Sequence, residues 1–225
     1  VIDAMKLFEA WDYRFATTSE AAPLFAYWYY IELPKAIFRH VVEQDKPTDF
    51  VVDFAFLRDL ILDREVPFFE GTSKSEIDQI LVDSLALAAS NHFGANGGAQ
   101  DMVQWGQVNK LNVKHPLQAL IDDNTLSCAN LIDRPRDGNI STLNLGYPDA
   151  EGNVQGGASV RLVIDVGKWD NSQAINMPGQ SGDPKNRHYC DLTESWATGE
   201  YFQFSFSRKS VEENASLHIN VRPRN

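Results

Sequence analysis

Three features of the sequence predict an α+β fold. Apolar residues recur at helical spacing through the first half and alternate with polar ones through the second, and the glycine-rich stretch FGANGGAQD (93–101) separates the two regimes. The expected organisation is a helical segment over residues 1–98 and a strand-rich segment over 99–225, both parts of one larger domain.

The chain opens in helix-like sequence, VIDAMKLFEAWD. TSEAAPLFAYWYYIEL then offers Thr18 and Ser19 as caps and is apolar enough to be buried round most of its circumference. DFVVDFAFLRDLILD places Phe54, Leu57, Leu60 and Ile61 at helical spacing. Ser73 and Glu76 form a capping box, after which Ile77, Ile80, Leu81, Ser84, Leu85 and Ala88 trace one face until Gly94 ends the helix. These read as core helices, and nothing in them asks for a cofactor.

Beyond the glycines, WGQVNKLNVKH alternates, with Trp105, Val108, Leu111 and Val113 as candidate buried positions. ASVRLVIDV (158–166) is the strongest strand, with Val160, Leu162, Ile164 and Val166 on one face and Arg161, Val163 and Asp165 on the other. HYCDLTESWATGEY reads as a short helix through Tyr189, Leu192 and Trp196, closed by Gly199. EYFQFSFS, with Phe202, Phe204 and Phe206 in register, and SLHINVRP complete the chain as strands.

Of the 225 residues 43% are hydrophobic and 11% aromatic, enough apolar surface for one large domain or two small ones packed together. The net charge of -11 and the pI near 4.8 come from acids spread along the whole length, with no basic stripe to neutralise a phosphate backbone; no nucleic-acid partner is expected. No run reaches the ~18 apolar residues needed to cross a bilayer. LFAYWYYIEL (24–33) is too short and is closed by Pro34, so no membrane partner is expected. Val1 begins in helical sequence with no basic region or cleavage site around it, so the expectation is a piece of a longer chain. Cys128 and Cys190 are too few and too isolated for a zinc site or a CxxC pair, and whether they bridge stays open.

The stretch MPGQSGDPKNRHYCD (177–191) brings Ser181, His188 and Asp191 close in sequence and so suggests a catalytic set. A nucleophile elbow needs glycine two residues before and two after the serine, and position 183 is Asp. Triad members ordinarily come from separate elements, so a turn pinned by side-chain hydrogen bonds is the expected role. His115 and His188, with Asp122 and Asp123 nearby in sequence, show no HExxH or His-x-His spacing that would fix a metal. DGNISTLN and DAEGNVQGG lack the acidic periodicity of a calcium loop and read as turns. GANGG and GGAS fit no phosphate-binding loop. Asp165, Asp170, Asp183, Asp191 and Glu194 could supply a glycosidase pair, but any acidic protein offers such pairs by count. The Asn139 and Asn214 sequons carry no weight.

Taken together in order, the residues of the second half resemble the C-terminal part of the β chain in the penicillin acylase (penicillin amidase) family. The resemblance rests on Trp105, Gly106, His115, Pro116 and Leu117; then Gly157, Ser159, Arg161 and Asp165; then Gly179 to Gly182 with Pro184. It continues through His188, Tyr189, Asp191, Trp196, Gly199 and Tyr201, covering roughly residues 103–208. LFEAWDYRF and AAPLFAYW extend it upstream more weakly. Asn186-Arg187 replaces the usual Ser-Pro before His-Tyr, and Cys190 sits inside the His-Tyr-x-Asp pattern.

The resemblance implies part of an N-terminal nucleophile hydrolase αββα sandwich with added helices. It implies a precursor that cuts itself and frees a β-chain N-terminal Ser, which attacks a linear acyl-amide and forms an acyl-enzyme. Backbone N–H groups and an Asn side chain hold the oxyanion. No stretch near Val1 resembles that nucleophile region, so no catalytic, cofactor-binding or metal-binding residue is expected in these 225 residues, and the segment alone is expected to be inactive. The implied partners are the remainder of the β chain, the α chain of the same precursor and a small acyl-amide substrate. A structural calcium belongs, if anywhere, to the parent, and the implied compartment is periplasmic or extracellular. The alternatives are a catalytically inactive scaffold and a stand-alone ligand-binding module.

Overall fold

The structure, a computed structural model, describes residues 2–41, 53–63, 69, 71–93, 103–120, 124–148 and 153–223. Two compact units emerge, Val1–Asn109 and Lys110–Asn225, each with its own core. Gly94 and most of the glycine-rich stretch lie outside the described residues, as do Asp122 and Asp123.

The first unit is helical. Helix α1 (Ile2–Glu9) is followed by α2 (Ala21–Tyr27), which runs through a π-helical segment (Trp28–Glu32) into α3 (Leu33–Val41). As expected, Ser19 helps to start α2: its Oγ accepts from the Ala22 N–H at 3.2 Å. Helix α4 (Phe54–Leu62) is capped by Asp53, whose Oδ1 accepts from the N–H groups of Ala55 (2.8 Å) and Phe56 (3.2 Å). Its Leu57 and Leu60 enter a core with Leu33, Ile37, Phe69 and Ile77.

Helix α5 (Lys74–Phe93) begins in the expected capping box. Ser73 Oγ accepts from the Glu76 N–H (3.2 Å), and Glu76 Oε2 accepts from the Ser73 N–H (2.7 Å). The hydroxyl and N–H of Ser73 hold the Glu76 carboxyl below its usual range. Leu85, Ala88 and Ala89 of α5 pack with Ala4 and Leu24 in a second core. Ser84, on the same face, accepts from Trp28 Nε1 at 3.0 Å and donates to the Leu81 carbonyl at 2.9 Å, so a buried hydroxyl is paired twice.

Trp105 and Val108 are not strand positions. Trp105–Val108 is one helical turn, α6, in which the Gln104 N–H donates to Gln107 Oε1 at 2.6 Å. It packs on the helical side: Trp105 and Gly106 N–H donate to the carbonyls of Ser19 and Thr17, both at 2.8 Å, and the Trp105 ring meets Phe15 at 5.1 Å. The unit boundary therefore falls after Asn109, beyond the glycine-rich stretch.

The second unit holds two sheets. Strands β1 (Lys110–Val113), β2 (Leu131–Pro135), β3 (Gly146–Pro148) and β4 (Val154–Gly157) are ordered β2-β1-β4-β3. The β1–β4 pair is parallel and its neighbours are antiparallel. Strand β4 corrects the reading of DAEGNVQGG as a turn: Val154 pairs with Leu111, and both are buried. Strands β5 (Val160–Val163), β6 (Gln173–Asn176) and β7 (Phe202–Gln203) form an antiparallel sheet in the order β5-β6-β7. One core joins them, built from Leu111, Leu131, Val154, Ile175 and Trp196.

The strongest predicted strand ends at Val163, short of Val166, and its polar member is the buried one: Arg161 is 7% exposed, whereas Val160 and Leu162 are 55% and 53% exposed. Helix α7 (Thr193–Thr198) ends at Gly199, which takes the left-handed φ of 80° that a helix terminator needs. Tyr189 and Leu192 belong to the turns before it. EYFQFSFS forms a strand only at Phe202–Gln203, and SLHINVRP, exposed throughout its length, forms none. Between them lies an unforeseen helix, α8 (Arg208–Asn214), capped by Ser207 Oγ on the Ser210 N–H.

Candidate functional site

Residues 177–191 form a compact loop held by its own polar groups. The N–H groups of Gln180 and Ser181 both donate to the His188 carbonyl, at 2.8 and 3.0 Å. Gly179 is required there, because a Cβ would collide with that carbonyl and lie 2.8 Å from the Tyr189 backbone. Ser181 Oγ accepts from the Asp183 N–H (3.1 Å), Asp183 Oδ1 from the Lys185 N–H (2.9 Å) and Asn186 Oδ1 from the His188 N–H (2.9 Å). Each is a side chain closing its own turn two residues on.

The structure brings His188 and Asp191 together and leaves Ser181 out. His188 Nδ1 lies 2.6 Å from Asp191 Oδ2, and Arg187 Nε donates to His188 Nε2 at 2.9 Å. Because Nε2 accepts, Nδ1 carries the proton and donates to the carboxylate, so the imidazole is the neutral Nδ1–H tautomer. Both ring nitrogens are engaged, and Ser181 meets this histidine through the backbone. The geometry of an activated serine is not assembled here.

His115 is likewise engaged at both ring nitrogens, but in the other tautomer. Its Nδ1 accepts from the Leu117 N–H (3.1 Å), which leaves Nε2–H to donate to the Tyr189 hydroxyl at 2.7 Å. The His115 N–H donates to Asn130 Oδ1 (2.7 Å), and Asn130 Nδ2 donates to Gln118 Oε1 (3.0 Å). Immediately beside Tyr189, Cys190 is disulfide-bonded to Cys128, with Cα atoms 5.9 Å apart. The pairing left open by the sequence is thus a covalent tie between the 3₁₀ turn Asn124–Ala129 and the His-Tyr loop.

A third cluster surrounds Trp196. The Arg136 guanidinium lies 4.4 Å from the indole centroid and that of Arg161 lies 5.3 Å away. Arg136 Nη2 donates to Asn144 Oδ1 at 2.7 Å and to the Leu145 carbonyl at 3.0 Å. Arg161 donates to the same Asn144 oxygen and to the Trp196 carbonyl, while Trp196 Nε1 donates to the Ala158 carbonyl at 2.8 Å. Burial, and then the neighbouring Arg161 charge, lower Arg136 to about 10; burial also lowers Arg161, opposed by Tyr201. Sequence reasoning missed Arg136, since RPRDG carries no sign that its second arginine is buried.

The candidate carboxylates each meet a donor. Asp165 accepts from the Gly167 and Lys168 N–H groups at 3.0 and 2.9 Å, Asp170 from the Phe206 and Ser207 N–H groups at 2.9 and 2.7 Å, and Glu194 pairs with Arg134. Among the described residues no group of three His, Cys, Asp or Glu side chains converges to hold a metal, so none of them is assigned to calcium. The chemistry this arrangement offers is positional: two neutral imidazoles of fixed tautomer, two buried cations and a disulfide bracing loops.

Residues 2–213 match the penicillin amidase family, and the chain belongs to that family, whose fold is that of the N-terminal nucleophile hydrolases. Penicillin acylase 2 proenzyme of Pseudomonas sp. (strain SE83) is 32% identical over 122 residues, covering 53% of this chain and 15% of that protein. The acyl-homoserine lactone acylase QuiP of Pseudomonas putida is 26% identical over 166 residues, covering 71% of this chain and 20% of that protein. The chain thus spans a fifth or less of these relatives' length.

Proposed function

We propose that this chain is the structural C-terminal part of an amidohydrolase that cleaves a linear acyl-amide bond through an acyl-enzyme. The nucleophile is the N-terminal Ser of a β chain released by self-cleavage, outside these 225 residues, with its own α-amine as base. The observation that carries this reading is the family match over residues 2–213, together with two relatives whose names say acylase. One of those names also says proenzyme, which supports a cut precursor.

On this reading the polar groups of the His-Tyr loop and the Trp196 cluster brace layers around a site built by the rest of the β chain and the α chain. The segment alone is then inactive. The Cys128–Cys190 bridge supports a periplasmic or extracellular location, because disulfides persist in oxidising compartments. Substrate is proposed only as a class, small acyl-amides.

The test is expression of the full-length precursor, followed by intact mass, N-terminal sequencing of every chain and assay on a chromogenic acyl-anilide. Two chains, one beginning with Ser, Thr or Cys, and turnover by the pair are expected. A single uncut chain without turnover refutes the acylase reading and leaves an inactive scaffold.

A further inference from the structure

The Cys128–Cys190 bridge has a second route running beside it. Asn130, two residues beyond Cys128, accepts from the His115 N–H at 2.7 Å, and His115 Nε2 donates at 2.7 Å to the hydroxyl of Tyr189, the residue before Cys190. A covalent bond and a chain of hydrogen bonds therefore join the same two segments. The second route has anchors of its own: Tyr189 is 8% exposed, and Asn130 is also tied to Gln118 at 3.0 Å. Opening the bond leaves the segments near each other, held by breakable contacts alone.

The two sulfurs differ in access. The 3₁₀ turn Asn124–Ala129 buries Leu126 and Ala129 and leaves Cys128, between them, exposed. Cys190 is half-buried, with buried Tyr189 before it and its carbonyl taken by the N–H of buried Thr193 at 3.2 Å. Thiol–disulfide exchange is attack of a thiolate on one sulfur while the other leaves, and access selects which sulfur is attacked. Exposed bridges are also the more reducible ones, whereas enclosed ones resist reduction.

We propose that Cys128 is the entry point for thiol exchange and that the bridge is a redox-sensitive clamp on the His-Tyr loop, opened in the folded protein by a dithiol reductant. One reductant thiolate bonds to Cys128 Sγ, the Sγ–Sγ bond breaks, and its electron pair leaves on Cys190 Sγ, which takes a proton from water. The second reductant thiol loses its proton, displaces Cys128 Sγ from the mixed disulfide and closes the reductant's own disulfide. The dithiol is oxidised, both cysteines end as thiols, and the His115–Tyr189 hydrogen bond remains to link the segments. The loop then loosens at Gln180 and Ser181, whose N–H groups are held by the carbonyl of His188, two residues before Cys190. In an oxidising compartment the closed form is the resting one, and it opens only where such a dithiol is supplied. No part of this exchange depends on acylase chemistry.

The experiment treats the unaltered full-length protein under native conditions with a monothiol, glutathione, and then with iodoacetamide, and locates the modified peptides by mass spectrometry. Glutathione mainly on Cys128, with Cys190 alkylated, is expected. Glutathione shared equally or mainly on Cys190 overturns the proposal, and so does reaction that begins only when urea is added. Dithiothreitol then reduces the bridge fully, and hydrogen exchange and tryptophan fluorescence are followed. Exchange at the Gln180 and Ser181 N–H groups at least about tenfold faster, with native fluorescence retained and the slow exchange recovered on reoxidation, is expected. Unchanged exchange overturns the clamp. Loss of the native fluorescence on reduction overturns it as well, because the bridge is then a structural staple whose opening unfolds the chain.

Discussion

Replacing both Cys128 and Cys190 by Ser removes a crosslink that closes a loop 62 residues long, and the cost can be worked from that length. Chain-entropy bookkeeping gives about 14 cal/mol/K for such a loop, or about 4 kcal/mol at 25 °C. Little else is lost: Cys128 is exposed and Cys190 half-buried, so serine leaves no large cavity. The loop contains β2 to β6, so the unfolded chain freed by the change gains its disorder across most of the second unit. The assay is urea unfolding followed by tryptophan fluorescence, comparing the bridged protein, the same protein with a phosphine reductant, and the Cys128→Ser/Cys190→Ser pair. A loss of about 3–5 kcal/mol, equal for reduction and substitution, is expected. A loss below about 1 kcal/mol refutes the reasoning, because it means that the unfolded chain is already held in the loop without the bond.

Four further outcomes are expected. Gly179→Ala, which forces a methyl into the His188 carbonyl, lowers stability by about 1–3 kcal/mol in urea titrations. Gly182→Ala, where a methyl meets nothing within 4 Å, shifts it by less than about 0.5 kcal/mol. Ser73→Ala removes one side of the α5 capping box and costs about 1 kcal/mol, measured as a shift in the first unit's unfolding midpoint. The Asp170 carboxyl is held below the usual aspartate range first by the Ser207 N–H, then by the Ser207 hydroxyl and the Phe206 N–H. A depressed folded value means that this contribution is fully present above the ordinary aspartate pKa and is lost as the pH falls through the lower, folded one. Carbon chemical shifts of Asp170 should titrate below that ordinary value, and Asp170→Ala should abolish the corresponding acid-range change at Ser207.

Legibility followed the range of the interaction. The α5 cap, the Gly199 stop and the stripe from Ile77 to Ala88 were readable because each is decided within a few residues. β4 escaped because a short glycine-ended run becomes a strand only when Leu111 lies beside Val154, far off in sequence. The Trp-Gly start read as strand because its alternation is genuine, yet Gln107 closes a helical turn on Gln104 and the ring goes to Phe15. α8 escaped because its start depends on Asp170 gathering the Phe206 and Ser207 N–H groups after the phenylalanine pattern breaks. In β5 the alternation gave the two faces correctly, but period alone does not tell which face a core will cover. The loop at 177–191 was legible as a turn from its Gly, Asn and Asp content, whereas the partners of its histidine needed coordinates.

The two guanidinium groups on Trp196 have a mechanical meaning. Arg136 follows β2 of one sheet, Arg161 lies in β5 of the other, and both grip the same indole and the same Asn144 oxygen. Apolar side chains at such a junction would let two sheets slide past each other at small cost. Planar forks on a shared acceptor resist that slip, because a lateral displacement breaks charge-assisted hydrogen bonds made by buried guanidinium groups. The junction therefore acts as a stiff rivet against shear, and lysine, with a point charge on a pliant stem, would keep the charge there and lose the rigidity.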